Sequence, residues 1–396
     1  MDTIRLIYEK YFLFVPSFPE YYLQPVDNNT NMCVFLSNII RYFVTNREKC
    51  CPYKTLFYDR QDNTVRMKTM RITLFALCAI ALMLLVTGCT QQNGTTAAPV
   101  KTLVIGYQPS THQMAEITAM EKGWWQQDLA PLGVENVSDK VFPSGPPEMA
   151  AMQAGELDIA YVGAAPVLTA LATGLDAKII AGVNTQGSDL VVRNSLDYKG
   201  PQSLNGTTIA TFPAGSIQDT VLRDWLTKNN LTPDKDVIIK GMTGGDAITA
   251  ITAGKVDGIF LPTPSPSTVV NQGTGKIVVH SGDMYPNHTC CVLVVSGKLI
   301  REHPEIVRQI LRTNDKAVAY NQQNPDDAAA IYATKTGANL TDVQSSLEEW
   351  DGSWASDPNV IINPVLDYAK IQYDLGYIKK PLTQDDIFNL TFYQKN

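Results

Sequence analysis

The chain has 396 residues, 44% of them hydrophobic and 18% charged, the balance of an ordinary globular protein with room for a real core. A formal charge of −7 with no Lys/Arg cluster argues against an electrostatic nucleic-acid binder. Among seven cysteines only Cys290 and Cys291 follow residue 89, and neighbours in sequence rarely bridge each other, so no disulfide framework is implied. Residues 1–66 come first. They are tyrosine-rich, carry Cys33, Cys50 and Cys51, and show no sustained helical or strand period. We expect them to be a mis-assigned extension upstream of a start at Met67 or Met70, and they are excluded from fold reasoning.

Residues 67–88 read as an export signal. Lys68 and Arg71 form a positive flank, an apolar core follows to Gly88, and small residues close it, because a peptidase needs close access to an extended backbone. The core is shorter than the roughly 20 apolar residues of a membrane-spanning helix. The ending Leu85-Val86-Thr87-Gly88-Cys89 resembles the lipobox of bacterial and archaeal lipoproteins, which implies that Cys89 becomes the lipid-bearing first residue. One acyl chain holds weakly and two hold firmly, so a doubly lipidated Cys89 is expected. Residues 89–100, polar and punctuated by Gly and Pro, read as a flexible tether.

From Lys101 strands and helices alternate. Residues 102–106 are a short β-branched run, the mark of a buried parallel strand. A polar turn leads to a helix over 113–122, closed by Gly123 as a left-handed cap. Trp124 and Trp125 read as plugs, not ligand platforms. A strand at 141–142, a helix over 149–154, a strand over 158–162, a helix over 166–173 and a strand over 177–183 follow. A second cycle places strands at 208–212, 237–240, 256–261 and 276–279, with helices over 217–229 and 246–252. Residues 291–296 are again strand-like, and only helices are expected beyond them. One of these opens at Asn324-Pro325-Asp326-Asp327, with an Asn cap, Pro in the first turn and acids at the positive dipole end. This alternation predicts an α/β fold.

The stretches GELDIAYVGAAP (155–166) and GKVDGIFLPTPS (254–265) share Gly-x-Leu/Val-Asp, an apolar run and proline. Each ends a similar strand-helix-strand series, so two similar lobes are expected, joined by crossings near 188–190 and 282–290. Lobe one takes 101–190, lobe two 191–285, and 286–396 returns to lobe one with C-terminal helices. Together with IGYQPSTHQMAEITAMEKGWW and SLNGTTIATFPAGSIQDTVLRDWL, these stretches resemble the substrate-binding proteins of the nitrate/sulfonate/taurine class of ABC importers, from about residue 101 to about 337. The resemblance implies the type II periplasmic-binding-protein fold: two α/β lobes, each a mixed, mostly parallel sheet flanked by helices, with a ligand cleft between them. It also implies a binding protein that is no enzyme, needs no cofactor and acts as a monomer. Its expected partners are a small solute, a membrane permease and a separate ATPase subunit, since this chain has no nucleotide loop. Its expected place is outside the cytoplasm, held to the membrane through Cys89.

Ligands of open α/β sheets sit beyond the carboxyl ends of the strands. That rule selects the loop from Gln108 through Ser110, Thr111 and His112, the turn Gly163-Ala164-Ala165, and the loop from Pro213 through Ala214, Gly215 and Ser216. Small residues there would let backbone N–H groups and helix N-termini face an oxyanion. The resemblance supports Gly215, Ser216 and Gln218 as contacts, and Ser188, Pro262 and Thr263 complete the candidate set. Ser216 and Asp219 also fit a capping box, with Asp219 expected chiefly to cap. His112 reads either as a donor to an anion or as a surface histidine at a helix start, where Ser110 or Thr111 would cap. Where the class often carries an aromatic-acid pair, this chain has Leu261-Pro262-Thr263-Pro264, which predicts an apolar wall without a stacking ring. No arginine lies in the three loops, and Arg193 and Arg223 are expected at a strand end and on a helix face. A monovalent or weakly charged ligand is therefore favoured.

Catalysis is the competing class. There is no phosphate-binding loop, no nucleophile elbow and no zinc-type spacing, and His112, His280, His288 and His303 are scattered. His288-Thr289-Cys290-Cys291 is the exception, because pyrimidine synthases of the thiamine pathway resemble the same fold and carry a histidine beside a longer cysteine run linked to iron. Here the run is two residues, and Cys290 and Cys291 read as small apolar residues opening a buried strand, with no metal expected. The expected function is closure around a small anionic or zwitterionic solute and delivery to a permease. A thiamine-precursor binder or synthase-like protein, and a solute sensor, are the alternatives.

Overall fold

The apolar runs assemble into two five-stranded sheets of one plan. The computed structural model describes residues 98–393, so the segments expected to be an extension, an export signal and most of a tether, with Cys89, lie outside the described residues. The chain lays down β1 (Thr102–Tyr107), α1 (Met114–Glu121), α2 (Trp124–Leu129), β2 (Asn136–Val141), α3 (Gly145–Gln153), β3 (Ile159–Gly163), α4 (Ala164–Ala172) and β4 (Ala177–Gly182). After a short β5 (Asn184–Thr185) come β6 (Ser188–Arg193), β7 (Thr208–Thr211), α5 (Ile217–Lys228), β8 (Ile238–Gly241) and α6 (Gly244–Thr252). Then follow β9 (Gly258–Pro262), α7 (Ser265–Asn271), β10 (Gly275–His280) and α8 (Ser281–Met284). The chain returns through β11 (Cys291–Ser296), and α9 (Gly297–Glu302), α10 (Pro304–Gln323), α11 (Pro325–Thr336), α12 (Leu340–Glu348), β12 (Ser353–Trp354), α13 (Ile362–Asp374) and α14 (Gln384–Ile387) complete it.

The sheet orders are β2-β1-β3-β11-β4 and β10-β6-β9-β7-β8. Each sheet is parallel except for one strand, β11 in the first and β6 in the second. That antiparallel strand is the one arriving from the other sheet, so the two crossings set the only reversal in each lobe. β3 and β9, which carry the repeated sequence motif, occupy the same place beside it and are buried at every residue. Burial on both faces is why they read as continuous apolar runs with no alternation.

One core spans both lobes, from Leu103, Ile105 and Trp125 to Phe260, Val294 and Tyr368. A second cluster, with Val191, Ile251, Ile259, Leu261 and Val269, lies in lobe two. α10 packs on α1 and α2 through Ile306, Val307, Ile310, Leu311, Ala317 and Val318, a three-and-four spacing that makes one continuous stripe. Trp125 is fully buried as expected, and its Nε1 donates to the Glu116 carbonyl at 3.3 Å. Trp124 caps the surface edge-on to Tyr320, with the Lys316 ammonium 4.5 Å from its ring centre.

Several local expectations are corrected. The first helix is preceded by a 3-10 turn, Thr111–Gln113, whose N-cap Ser110 makes no side-chain capping bond. Asn324 does not cap α11: its amide turns back and donates to the Tyr320 carbonyl of α10, while Asp326 and Asp327 do occupy the first turn. Helices are not alone after residue 296, because β12 pairs antiparallel with β5 at the first crossing. That pair is two residues long, too short to leave a period in the sequence. No helix among the described residues is long and apolar enough to cross a membrane.

Candidate functional site

The carboxyl ends of β1, β3, β7 and β9 face one another across the lobes, and the loops leaving them build a cleft. Gln108, Ser110 and His112 come from lobe one with Gly163. Phe212, Ser216, Gln218 and Pro262 come from lobe two, and Cys290 and Cys291 form part of the floor. The free volume is about 10 Å³, on the order of one water molecule. Across its mouth Thr111 N donates to the Thr263 carbonyl at 3.1 Å, and the two threonine hydroxyls lie 2.5 Å apart. Thr263 N in turn donates to the Gly187 carbonyl at 3.1 Å. The lobes are therefore shut on each other.

Of the candidate residues, the fold brings Gln108, Ser110, His112, Gly163, Ser216, Gln218 and Pro262 onto the cleft wall. Thr111 and Thr263 form the clasp instead. Ser188 lies one layer back, accepting from Gln218 Nε2 at 3.1 Å. Ala164 and Ala165 are buried in the core, and Ala214 is exposed outside the cleft. The expectation of free backbone N–H groups in all three loops is corrected. Thr111 N is taken by Thr263, Ala164 N by the Cys290 carbonyl at 2.9 Å, and Ser216 N by the Pro213 carbonyl at 3.0 Å. Gly215, at φ +82°, gives its N–H to Asp219 Oδ2 at 3.0 Å. What remains is the potential of helix N-termini: α3, α4 and α5 all begin at the wall, with Gly145, Gly163 and Ser216.

Asp219 takes the structural role. It is 1% exposed, pairs with Arg223 Nε at 2.7 Å, and accepts from Tyr377 OH at 2.6 Å. Ser216 Oγ caps α5 by accepting from Asp219 N at 3.2 Å, but the return bond goes to Gly215 N, one residue before the capping box would place it. Arg193 pairs with Asp257 and Arg223 with Asp219 and Asp234, so neither arginine reaches the cleft. No lysine or arginine lines it among the described residues.

Other groups at the cleft left no recognisable signal in the sequence. Phe212, the last residue of an expected strand, supplies a lobe-two ring and corrects the expectation of a wall without one. Glu148 is fully buried and accepts from Gln108 Nε2 at 2.5 Å, while its Oε1 has no partner. Burial pushes its carboxyl, packed behind Gln108, well above the usual range. Trp350, from far along the chain, stacks on His112 with ring centres 5.6 Å apart and 19° between planes. Its Nε1 donates to the Thr185 carbonyl at 3.2 Å.

His112 is no surface residue: it is fully buried, and its Nε2 lies 2.7 Å from the Gly187 carbonyl. A carbonyl only accepts, so Nε2 carries the proton, and in the neutral ring Nδ1 presents a lone pair. That lone pair meets Cys291 Sγ at 4.0 Å, and Cys291 Sγ lies 3.8 Å from Cys290 Sγ. Burial pushes the Cys290 thiol up, and its contact holds the Cys291 thiol below the ordinary range.

The family model described as the NMT1-like family matches residues 96–335. The chain belongs to this family. A protein described as an aliphatic sulfonates-binding protein of Bacillus subtilis is 28% identical over 80% of this chain and 94% of its own length. The nitrate/nitrite binding protein NrtA of Nostoc is 23% identical over 59% of this chain and 62% of its own. The alkanesulfonate-binding protein SsuA of Xanthomonas axonopodis pv. citri, solved bound to MOPS, superposes with a TM-score of 0.65 at 20% identity, covering 74% of this chain and 99% of that one. The resemblance read in the sequence therefore holds: this NMT1-like chain has the two-lobed fold and is similar to substrate-binding proteins of the nitrate/sulfonate/taurine class.

Proposed function

We propose that this protein captures a small, singly charged oxyanion, with alkanesulfonates first and nitrate second, and hands it to an ABC permease driven by a separate ATPase. The observation that carries the reading is the convergence of the N-termini of α3, α4 and α5 on a cleft without a charged carboxylate. Partial positive charge there stabilises an anion without a counter-ion. Ser110 and Ser216 add hydroxyl donors, Gln218 on the wall shares its Nε2 between Ser188 and Cys290 Sγ until a solute displaces them, and His112 holds its Nε2 proton back for Gly187. With no lysine or arginine on the wall, a doubly charged anion would be under-compensated. The names of the relatives, for sulfonates and for nitrate, support the same class.

Phe212 gives an alkyl or aryl tail an apolar surface, which favours an organic sulfonate over bare nitrate. Residues 67–88 act as the export signal, Cys89 carries the lipid, and the tether lets the two lobes work outside the cytoplasm. Isothermal titration of the chain with ethanesulfonate, taurine, nitrate and sulfate is the test. Saturable binding of a sulfonate, weakened by Ser216→Ala and Gln218→Ala, is the expected result. Tighter binding of sulfate than of any sulfonate would overturn it. The anchor is checked separately: incorporation of radiolabelled palmitate in cells should vanish with Cys89→Ala.

A further inference from the structure

His112, Cys290 and Cys291 are brought together by the fold from the two separate segments of the first lobe. Their donor atoms all lie within 4.8 Å of one another, and all three residues are buried. Two sulfurs on a tetrahedral zinc-class ion, each at about 2.3 Å, stand roughly 3.8 Å apart, and a sulfur and an imidazole nitrogen stand roughly 3.5 Å apart. The sulfurs here are 3.8 Å apart, and Cys291 Sγ is 4.0 Å from His112 Nδ1. The sulfur–sulfur spacing already fits, while Cys291 Sγ must close on His112 Nδ1 by about half an ångström and Cys290 Sγ, within 4.8 Å of the imidazole nitrogen, by up to about 1.3 Å.

The surroundings are those of a ligand set. A metal-binding imidazole gives its other N–H to a carbonyl or carboxylate, which fixes the tautomer and aims the free nitrogen. His112 does this through Nε2 and Gly187, with Trp350 stacked on its face. Gln113 Nε2 and Gln218 Nε2 each lie 3.6 Å from a sulfur, Cys291 and Cys290 respectively, as donors that stabilise sulfur carrying negative charge. Small apolar filling of a strand start would require neither the aimed lone pair nor the two amides.

We propose that His112 Nδ1, Cys290 Sγ and Cys291 Sγ form a three-ligand site in the cleft floor for a thiophilic divalent ion of the zinc class. Two sulfurs and one imidazole select a borderline-soft ion over magnesium or calcium. Each thiol gives its proton to solvent as its sulfur–metal bond forms, so one ion releases up to two protons. Three protein ligands leave a fourth position open toward the solute.

The test uses the full chain with Cys33, Cys50, Cys51, Cys78 and Cys89 changed to serine, reduced and kept free of oxygen. Cobalt(II) is the optical probe and zinc the competitor. The expected result is one cobalt per chain with a sulfur-to-cobalt band in the near ultraviolet, displaced by zinc, and at least tenfold weaker binding in Cys290→Ser, Cys291→Ser and His112→Gln. A missing band, or a band that survives the Cys290→Ser/Cys291→Ser double substitution, overturns the site. X-ray absorption of the zinc-loaded chain needs no ligand variant: a shell of two sulfurs supports the proposal, and a shell of oxygen and nitrogen alone overturns it. A Cys290–Cys291 disulfide that resists reduction also overturns it. Sulfonate titrations with chelator present judge the anion-binding reading independently.

Discussion

Glu116 is fully buried in the first lobe, and neither carboxyl oxygen has a hydrogen-bond partner. Burial first, and then nearby Asp139, raise its carboxyl well above the ordinary range, so the folded state takes up a proton there more readily than the unfolded one. A folded state that binds more protons than the unfolded one loses stability as pH rises above the unfolded carboxyl value. Glu116→Gln should therefore flatten the fall of Tm between pH 5 and 8 and gain on the order of 1 kcal/mol at the upper end, read by thermal melts in a pH series. His280 titrates with another window. Its Nδ1 lies 2.7 Å from Asp189 Oδ1, and that contact, helped by Asp351 and Asp283, raises the imidazole to about 9. Burial pushes the Asp189 carboxyl up while His280 pulls it down, and the short direct contact makes the pair the unit to test. A raised histidine stabilises fully below about 6.5 and loses that contribution as pH climbs through about 9. Melts from pH 6 to 10 should show the loss, and His280→Gln should remove it.

At the scale of elements, the segments joining the lobes carry the tightest constraints. Gly187 lies between β5 and β6 at φ +84°, and a Cβ there would collide with the Trp350 indole and the His112 imidazole. Its carbonyl accepts from both Thr263 N and His112 Nε2, and its N–H goes to Asp351 Oδ1 at 2.9 Å. Asp351 Oδ2 also accepts from Gly282 N at 2.7 Å, so one carboxylate ties both crossings together. Gly187→Ala should cost about 1–3 kcal/mol in chemical denaturation, from backbone strain and displacement of two rings. It should weaken solute binding as well. Ser216→Ala removes the α5 cap and a cleft hydroxyl together, so a loss of about 1 kcal/mol in stability should accompany the loss of affinity. Unchanged stability with lost affinity would mean that the hydroxyl does not cap α5 in solution.

For the whole molecule, the clasp between Thr111 and Thr263 and the nearly filled cleft describe a closed arrangement. A solute gains its affinity from the difference between closed and open forms. Removing one clasp hydroxyl with Thr263→Val should cost about 1 kcal/mol of closure, roughly fivefold in affinity, and act on the dissociation rate. Small-angle scattering should show the radius of gyration falling on sulfonate addition in the wild type. If scattering is identical with and without saturating sulfonate, closure is not coupled to binding.

Much of this is legible in the sequence alone. The alternation from residue 101, the paired stretches 155–166 and 254–265, and the left-handed Gly123 depend on local chemistry: apolar runs, turn residues and a backbone conformation open to glycine. So do the structural roles of Asp219, Arg193 and Arg223, because charged groups seek nearby partners. The cleft's interior was only half legible. Gln108, Ser110, His112 and Ser216 follow from the rule about strand ends and Gln218 from the resemblance, whereas the Cys290/Cys291 pair reaches the same space, and Trp350 and Glu148 reach His112 and Gln108 behind it, through long-range packing. Which N–H groups stay free, which tautomer His112 adopts and which sulfur it meets depend on contacts between residues 75 to 179 positions apart. No local pattern encodes such contacts, since a packed side chain answers to its neighbours in space and not to its neighbours in the chain.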